Sequence, residues 1–318
     1  MISTGAVLPD GTDAILRLEE ACLDGDLVTG LLPESGTHIR RAGEDAQQGQ
    51  LLAHRGAIVA PGVIGLAAAC GYDELLVLLR PSVRVVVTGE ELLRRGVSGG
   101  GRIRDALGPM LPHLISQLGG TVRDVRHVSD REAGVLATAL LPQCGQAAEA
   151  SIVVVTGSTS VGPSDHLRPL LRELGADVIV DGVACRPGHP QLQARLGPSR
   201  RLVGLPGNPF AAFVAAHTLL APLLAGLVGR GIPRLLTAAL AGDAPVLAGR
   251  TVIVPVRWDG ATARVMGDSR PASLQGAAQA DALADYPRSA GRQRTGGQVG
   301  FIAPAPPPPG ARIRWSPR

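Results

Sequence analysis

The chain has 318 residues and a formal net charge of +4, with 45% hydrophobic residues but only 2% aromatic. All 31 basic residues are arginine, which excludes a Walker A phosphate loop and a lysine Schiff base. The arginines are scattered and stacking aromatics are nearly absent, which argues against a nucleic-acid partner.

In chain order, residues 1–60 carry short β-like pieces broken by PDG, DGD, PESG and AGED, and predict a small β-rich N-terminal domain. Pro61–Gly71 reads as a short apolar helix within a linking segment, 61–81. Ser82–Thr88 (SVRVVVT) predicts a strand and Ile103–Leu118 a helix, with Pro112 as a kink and Gly119-Gly120 as its close. Thr121–Val128 follows as a strand, Arg131–Leu141 as a helix, and Ser151–Thr156 as a buried strand. Ser164–Leu174 predicts a helix capped by Ser164, with Leu167, Leu170, Leu171 and Leu174 on one face. Asp177–Ala184 and Arg201–Leu205 are further strands. The run from Gly204 to Gly229 has no charged residue and passes the length test for a membrane span, about 18 residues. His217, Thr218 and Pro222 inside it, and its Ala and Gly content, favour a buried core helix launched by the PGNP turn. Residues 231–318, which end in PAPPPPGARIRWSPR, predict a small barrel-like β domain. Repeated strand–helix units over 82–230 predict an α/β fold, a mostly parallel sheet with helices on both faces. Cys22, Cys70, Cys144 and Cys185 form no CxxC pair and read as isolated thiols in a reducing compartment. The first residues lack a basic-then-apolar leader pattern, so a cytoplasmic location and no membrane partner are expected.

In an open parallel sheet, ligands bind beyond the carboxyl ends of the strands. The loops there read TGEEL with Glu90 and Glu91, SDRE with Asp130, TGSTSVGPSD with Ser158, Thr159, Ser160 and Asp165, CRPGHP with Arg186 and His189, and LPGNP. Carboxylate and hydroxyl oxygens suit Mg²⁺. Gly-rich turns that open helices offer backbone N–H groups to an oxyanion. Arg186 and His189 complement the same charge. The set reads as a site for a phosphorylated or oxyanionic ligand with Mg²⁺. Bland readings stand beside this: Asp130 as an N-cap, Asp165 as a helix-dipole partner, Glu90 and Glu91 as solvated charges, and His189 as an exposed loop residue.

Taken together, TGSTSVGPSD, RPGHP and GLPGNP resemble the molybdopterin molybdenumtransferases, the family of bacterial MoeA and the gephyrin E domain, whose usual forms run like GGVSVGDYD, KPGKP and GLPGNP. ISTGAVLPDG (Ile2–Gly11) resembles the family's IMTGAPLPEG, IRRAGED (Ile39–Asp45) its IRRRGED, and VTGEEL (Val87–Leu92) its STGDEL. The match covers residues 2 to 230. It implies a homodimeric enzyme that inserts molybdenum from molybdate into adenylylated molybdopterin, releases AMP and requires Mg²⁺. It implies that Glu91 and Asp165 handle Mg²⁺ or molybdate, and that Glu91, Asp130 and Asp165 are the catalytic carboxylates. It implies substrate-binding roles for Thr4, Ser160, Arg186, His189, Pro206, Gly207, Asn208 and Pro209. The family pattern starts upstream of ISTGA, so the N-terminal domain is expected to be incomplete. Arg186 and His189 replace two lysines, and Ser158 stands where the family has glycine. Those replacements motivate an alternative: a degenerate molybdopterin-binding module or a partner of an active homologue. A related competence-damage-type nucleotide pyrophosphatase would share the loop chemistry but not the IRRAGED and ISTGA matches.

Overall fold

The computed structural model describes residues 1–130, 133–141, 150–160, 162, 165–231, 236–241, 247–267, 269–286 and 298–302. The expected helix start at Arg131, the N-cap Ser164, Cys144 and the run Pro304–Arg318 lie outside these residues. The chain divides into two units, Met1–Leu76 and Val77–Arg318.

The first unit holds one antiparallel hairpin, β1 (Ala21–Asp24) with β2 (Leu27–Gly30), and one helix, α1 (Pro61–Ala69). Among its described residues the expected β content is confined to that hairpin and turns connect the rest. Helix α1 opens on Pro61, where a missing N–H costs nothing, and stops before Gly71 at φ +83°. Ala67 is the one residue buried in this unit, while Leu23, Leu27, Val28, Leu31, Leu32 and Ile64 stand exposed.

The second unit runs β3 (Ser82–Thr88), β4 (Leu92–Leu93), β5 (Ile103–Arg104), α2 (Leu107–Gln117), β6 (Thr121–Val128), α3 (Ala133–Leu140), β7 (Ile152–Thr156), α4 (Leu167–Glu173), β8 (Asp177–Asp181), β9 (Cys185–Arg186), β10 (Leu192–Arg195) and β11 (Arg201–Leu205). A long helical run follows: α5 (Pro209–Ala215), a π-helical turn (Ala216–Leu220) and α6 (Ala221–Leu227). Strands β6, β3, β7 and β11 pair in parallel in that order. Their alternation sorts side chains onto two faces. Val83, Val85 and Val87 of β3 join Ile152, Val154, Val203 and Leu205 under α2, α5 and α6. Val86, Val153, Val155 and Leu202 face α3 and α4. The uncharged run is therefore core: Ala212, Ala215, Ala216, Leu219, Leu220 and Leu224 pack on the first face. Pro209–Leu227 is long and apolar enough to cross a membrane, and 56% of its most apolar window is buried inside the protein.

One strand of the main sheet was not expected. Strand β10 pairs antiparallel with both β11 and β8. Two reversals restore the direction, so β8 points the same way as β7 and β11 and its loop leaves by the same edge. Leu192 and Ala194 enter the core while Gln193 and Arg195 do not, a short mixed pattern that hides the strand in the sequence. Two helices start later than expected. Ile103–Arg104 pairs in parallel with β4, so α2 begins only at Leu107. Helix α4 begins at Leu167, which leaves Asp165 in the preceding loop rather than in a first helical turn.

The C-terminal part holds β12 (Leu236–Ala241), β13 (Thr251–Trp258), β14 (Thr262–Val265), α7 (Gln275–Gln279), β15 (Ala282–Tyr286) and β16 (Gln298–Ile302). Pairings β13–β14, β14–β12, β12–β16, β16–β15 and β15–β13 close a five-stranded ring around Val252, Val254, Val256, Ala263 and Ala284. Strand β9 adds to the edge of β13. Cys185, Phe210, Val214, Ile253 and Leu283 fill the seam between this barrel and the α/β sheet layers.

His217 on the π-helical turn is 4% exposed and meets the Phe213 ring edge-on at 4.7 Å. Its Nε2 has no hydrogen-bond partner among the described residues, and burial pushes its pKa down to about 4. The folded ring stays neutral where the unfolded ring would take a proton. Its contribution is intact above pH 6.5 and is lost as pH falls towards 4. Denaturant unfolding should lose about 2 kcal/mol of stability between pH 7.5 and 5 from this residue. His217→Leu should flatten that part of the profile. An unchanged slope in the variant would assign the loss to other groups.

Candidate functional site

The carboxyl ends of β3, β6, β7, β8 and β11 form one edge, and their loops carry the predicted residues. Apolar pattern gives way to threonine where β3 and β7 end. The Thr88 hydroxyl donates to the Thr156 carbonyl at 2.8 Å and lies 3.2 Å from Ser158 Oγ. A Cβ on Gly157 would sit 2.5 Å from Thr88 Oγ1, so only glycine allows this turn. A Cβ on Gly207 would lie 3.6 Å from Gly157 Cα, so the TGS and PGN turns touch. Ser158, the residue standing in a glycine position, has φ +52°, a backbone conformation that costs a side-chain-bearing residue about 1 kcal/mol or more.

Between β3 and β6, Ser129 Oγ donates to Glu90 at 2.7 Å and the Glu90 N–H reaches Asp130 at 3.3 Å. Glu91 folds back so that its carboxylate lies over Gly89, where a Cβ would sit 2.9 Å from it and where φ is +136°. Asp165 closes the next loop: its two oxygens accept the N–H groups of Ser160 at 2.9 Å and Gly162 at 2.7 Å. Each oxygen keeps a second lone pair for another ligand. Arg168, which the sequence analysis did not single out, bonds the Thr159 and Ser160 carbonyls and Asp181, tying this loop to the end of β8.

Arg186 is exposed on β9, with its backbone in register with Val252 of the barrel. His189 is also exposed, and its Nδ1–H donates to the Val183 carbonyl at 2.8 Å, which leaves Nε2 for a ligand or a proton. Pro206 is buried, Gly207 and Asn208 are exposed, and Pro209 is the first residue of α5. The helix start does not behave as the Gly-rich turn suggested. The N–H groups of Phe210 and Ala211 both donate to the Pro271 carbonyl, at 2.9 and 3.1 Å, so the barrel takes two of the donors expected to meet an anion.

A further missed residue is Gln191. It is fully buried, accepts the Thr218 hydroxyl at 3.0 Å and donates to Cys185 Sγ at 3.4 Å. It thereby fastens the loop bearing Arg186 and His189 to the helical run that begins at the PGNP turn. Asp105 and His127 were also missed as a pair. Asp105 is 4% exposed, caps α2 by accepting Leu107 and Gly108 N–H at 2.9 Å each, and meets His127 Nε2 at 2.8 Å. They are 22 residues apart, and no local pattern announces such a contact.

Among the described residues no three His, Cys, Asp or Glu side chains gather as a metal cage. Mg²⁺ commonly takes one or two carboxylates and completes its octahedron with water and substrate oxygens. The separated carboxylates of this edge fit a cation of that kind, shared with a substrate, and not a dedicated one. Thr4 belongs to the first unit, where it is exposed in a turn closed by Ala6 N–H to the Ser3 carbonyl. That unit also holds a cleft of about 700 Å³, lined by Arg41, Glu44 and Gln47 of the IRRAGED loop region and by Leu66, Ala69 and Tyr72.

Residues 84–226 match the family described as a probable molybdopterin binding domain, which gives the α/β unit its class. Residues 1–71 match the MoeA N-terminal region, domains I and II. The chain belongs to the MoeA family. It is similar to the molybdopterin molybdenumtransferase of Staphylococcus aureus (strain Mu50), 32% identical over 76% of this chain and 58% of that protein. With that of Haemophilus influenzae it is 33% identical over 72% of this chain and 56% of the relative. The chain thus spans less than two thirds of the length of either relative. Its fold is similar to a Pyrococcus horikoshii molybdopterin biosynthesis MoeA protein, with TM-score 0.74 and 25% identity over 95% of this chain and 74% of that one. A molybdenum cofactor biosynthesis protein from Pyrococcus furiosus shares the fold with TM-score 0.62 over 82% of both chains.

Removing the Gln191 clasp should loosen its loop. Gln191→Leu is expected to cost about 1–3 kcal/mol in denaturant unfolding, because the loop loses its buried links to Thr218 and Cys185, although the Thr218 hydroxyl keeps the Val214 carbonyl. Cys185, whose thiol burial pushes up in pKa, should be alkylated faster in the variant, as read by peptide mass spectrometry. Equal alkylation rates would show that the loop is held without Gln191.

Proposed function

We propose that the protein acts as a molybdopterin molybdenumtransferase: it takes molybdate and adenylylated molybdopterin and releases AMP as molybdenum enters the dithiolene. The observation that carries this reading is the shared edge of the parallel sheet. Five loops, four of them carrying the family's motifs in the family's order, leave the strands in one direction.

Glu91 and Asp165 would hold Mg²⁺ together with substrate oxygens. When bound, the cation draws electron density from the phosphoanhydride and eases departure of AMP. Asp130, hydrogen-bonded beside Glu90, would take the proton of the attacking water. Ser160 and the Gly207–Asn208 backbone would offer donors to an oxyanion, with Pro206 and Pro209 fixing the shape of that turn. Arg186 supplies positive charge, and protonated His189 would add an Nε2–H donor. Thr4 would act as a further substrate contact. The protein would work in the cytoplasm.

A homodimer accompanies this reading. It is supported by the first unit, which buries only Ala67 and exposes a broad set of leucines and valines. Light scattering should give twice the 32.6 kDa chain mass. Leu23→Asp with Leu27→Asp should shift it towards monomer. A monomeric wild-type chain at micromolar concentration would remove the dimer from the proposal.

The activity is tested with purified protein, adenylylated molybdopterin, molybdate and Mg²⁺, following AMP release and active cofactor. Turnover should require both molybdate and Mg²⁺, and Asp165→Asn should lower kcat/KM by about a hundredfold or more with circular dichroism unchanged. The alternative of a binding module without turnover draws on His189 and on the helix-start donors already used by Pro271. Tight ligand binding with no AMP release would establish that reading instead.

A further inference from the structure

The segment between β4 and β5 reads RRGVSGGGR and has no place in the roles above. With the two strands it carries four arginines and no acidic residue over 92–104. Strands β4 and β5 pair in parallel, and the segment between them ends in a defined tight turn rather than running as a loose charge run. Gly99 and Arg102 exchange two backbone hydrogen bonds of 3.1 Å. Gly100 and Gly101 between them have φ +59° and +76°, the paired left-handed conformation of a tight hairpin turn. Arg104 N–H reaches Ser98 Oγ at 3.1 Å, and the Arg104 guanidinium donates to the Leu93 carbonyl at 2.9 Å.

The far end of the segment is tied back to its start beside Glu91. Ile103 N–H donates to the carbonyl of Glu91 and Asp105 N–H to that of Leu93, each at 2.9 Å. Asp105 itself is fixed by its buried cap and its His127 partner. The side chains of Arg94, Arg95 and Arg102 are exposed and have no ion-pair or hydrogen-bond partner among the described residues. Arg94 and Arg95 follow Glu91 by three and four residues, and Arg102 closes the tight turn next to Ile103, whose N–H meets the Glu91 carbonyl, so three unpaired guanidiniums lie in a segment tied to Glu91, where an anion of several oxygens can be received. A planar fork matches phosphate oxygens two at a time. A cation on one side of a phosphoanhydride and guanidiniums on the other neutralise charge that develops as it breaks.

We propose that the segment 94–102 is a clamp for a phosphoanhydride, with Arg94, Arg95 and Arg102 as its donors. The inference rests on the reading above, in which the substrate is an adenylylated pterin joined through such a linkage. Inorganic pyrophosphate is the first probe, titrated calorimetrically into wild type and the triple variant R94Q/R95Q/R102Q. These side chains are exposed, so the variant should fold normally, as circular dichroism will confirm. At low salt the variant should bind pyrophosphate about tenfold more weakly, and the two curves should converge at high salt as screening removes the difference. Adenylylated molybdopterin, the second probe, should weaken by a similar factor. Equal pyrophosphate binding by both proteins, or none by wild type, overturns the clamp. Weaker pyrophosphate binding with unchanged binding of the pterin ligand overturns its role in substrate binding. If wild type binds pyrophosphate through the arginines but ignores the pterin ligand, the clamp stands and the transferase reading fails.

Discussion

Burial of the three parallel strands β3, β7 and β11 on both faces governs the second unit. Val85 and Val154 lie in register and fully buried, Val86 and Val155 likewise on the opposite face. Strands so enclosed have little room for polar side chains within them. Arg84, the exception on β3, is held by Asp124 on β6; burial would raise the Asp124 pKa, but Arg84 and Arg126 outweigh it and hold the carboxyl below its usual range. Chemistry is therefore confined to the strand ends. Thr88 and Thr156 mark where the apolar pattern stops, and the hydrogen bond between them is the floor on which the TGS turn is built.

That same burial made much of the fold readable in advance. Continuous β-branched runs such as SVRVVVT and SIVVVT have few other places to go, and the leucine spacing of α4 located its buried face at Leu167, Leu170 and Leu171, while Leu174 lies past the helix end and is exposed. Its start was placed too early because Asp165 does the work of closing a loop, not of opening a helix. Strand β10 escaped notice because only two of its four residues enter the core. The loops at the edge were legible through their Gly and Pro spacing. Their partners were not: Asp105 with His127, Gln191 with Thr218 and Phe210 with Pro271 join residues 22 to 61 apart, and each carries one half of a hydrogen bond without local signature.

The first unit obeys a different balance. A two-stranded hairpin is marginal by itself in water. Here its residues are largely exposed on both faces, and the neighbouring helix buries a single alanine. Positive-φ glycines and local turns define its course more than a core does, as at Gly36, Gly43 and Gly56. Sequence patterning therefore had little to report there beyond its breakers, and the IRRAGED motif was recognisable by resemblance while its surroundings were not predictable from periodicity.

The capping of α5 by Pro271 has a consequence for how the edge is charged. A helix start ordinarily lends its dipole to whatever anion sits before it. In this protein two amides of that start are committed to a carbonyl of the barrel, so the field in front of the PGNP turn is already partly cancelled. The barrel is then a stator: displacing it by an ångström would release two N–H groups and re-polarise the turn, with no change in any side chain. In the proposed reading, attraction that a fixed backbone would have supplied would pass instead to guanidiniums, whose reach changes with rotamer and whose pull fades with ionic strength.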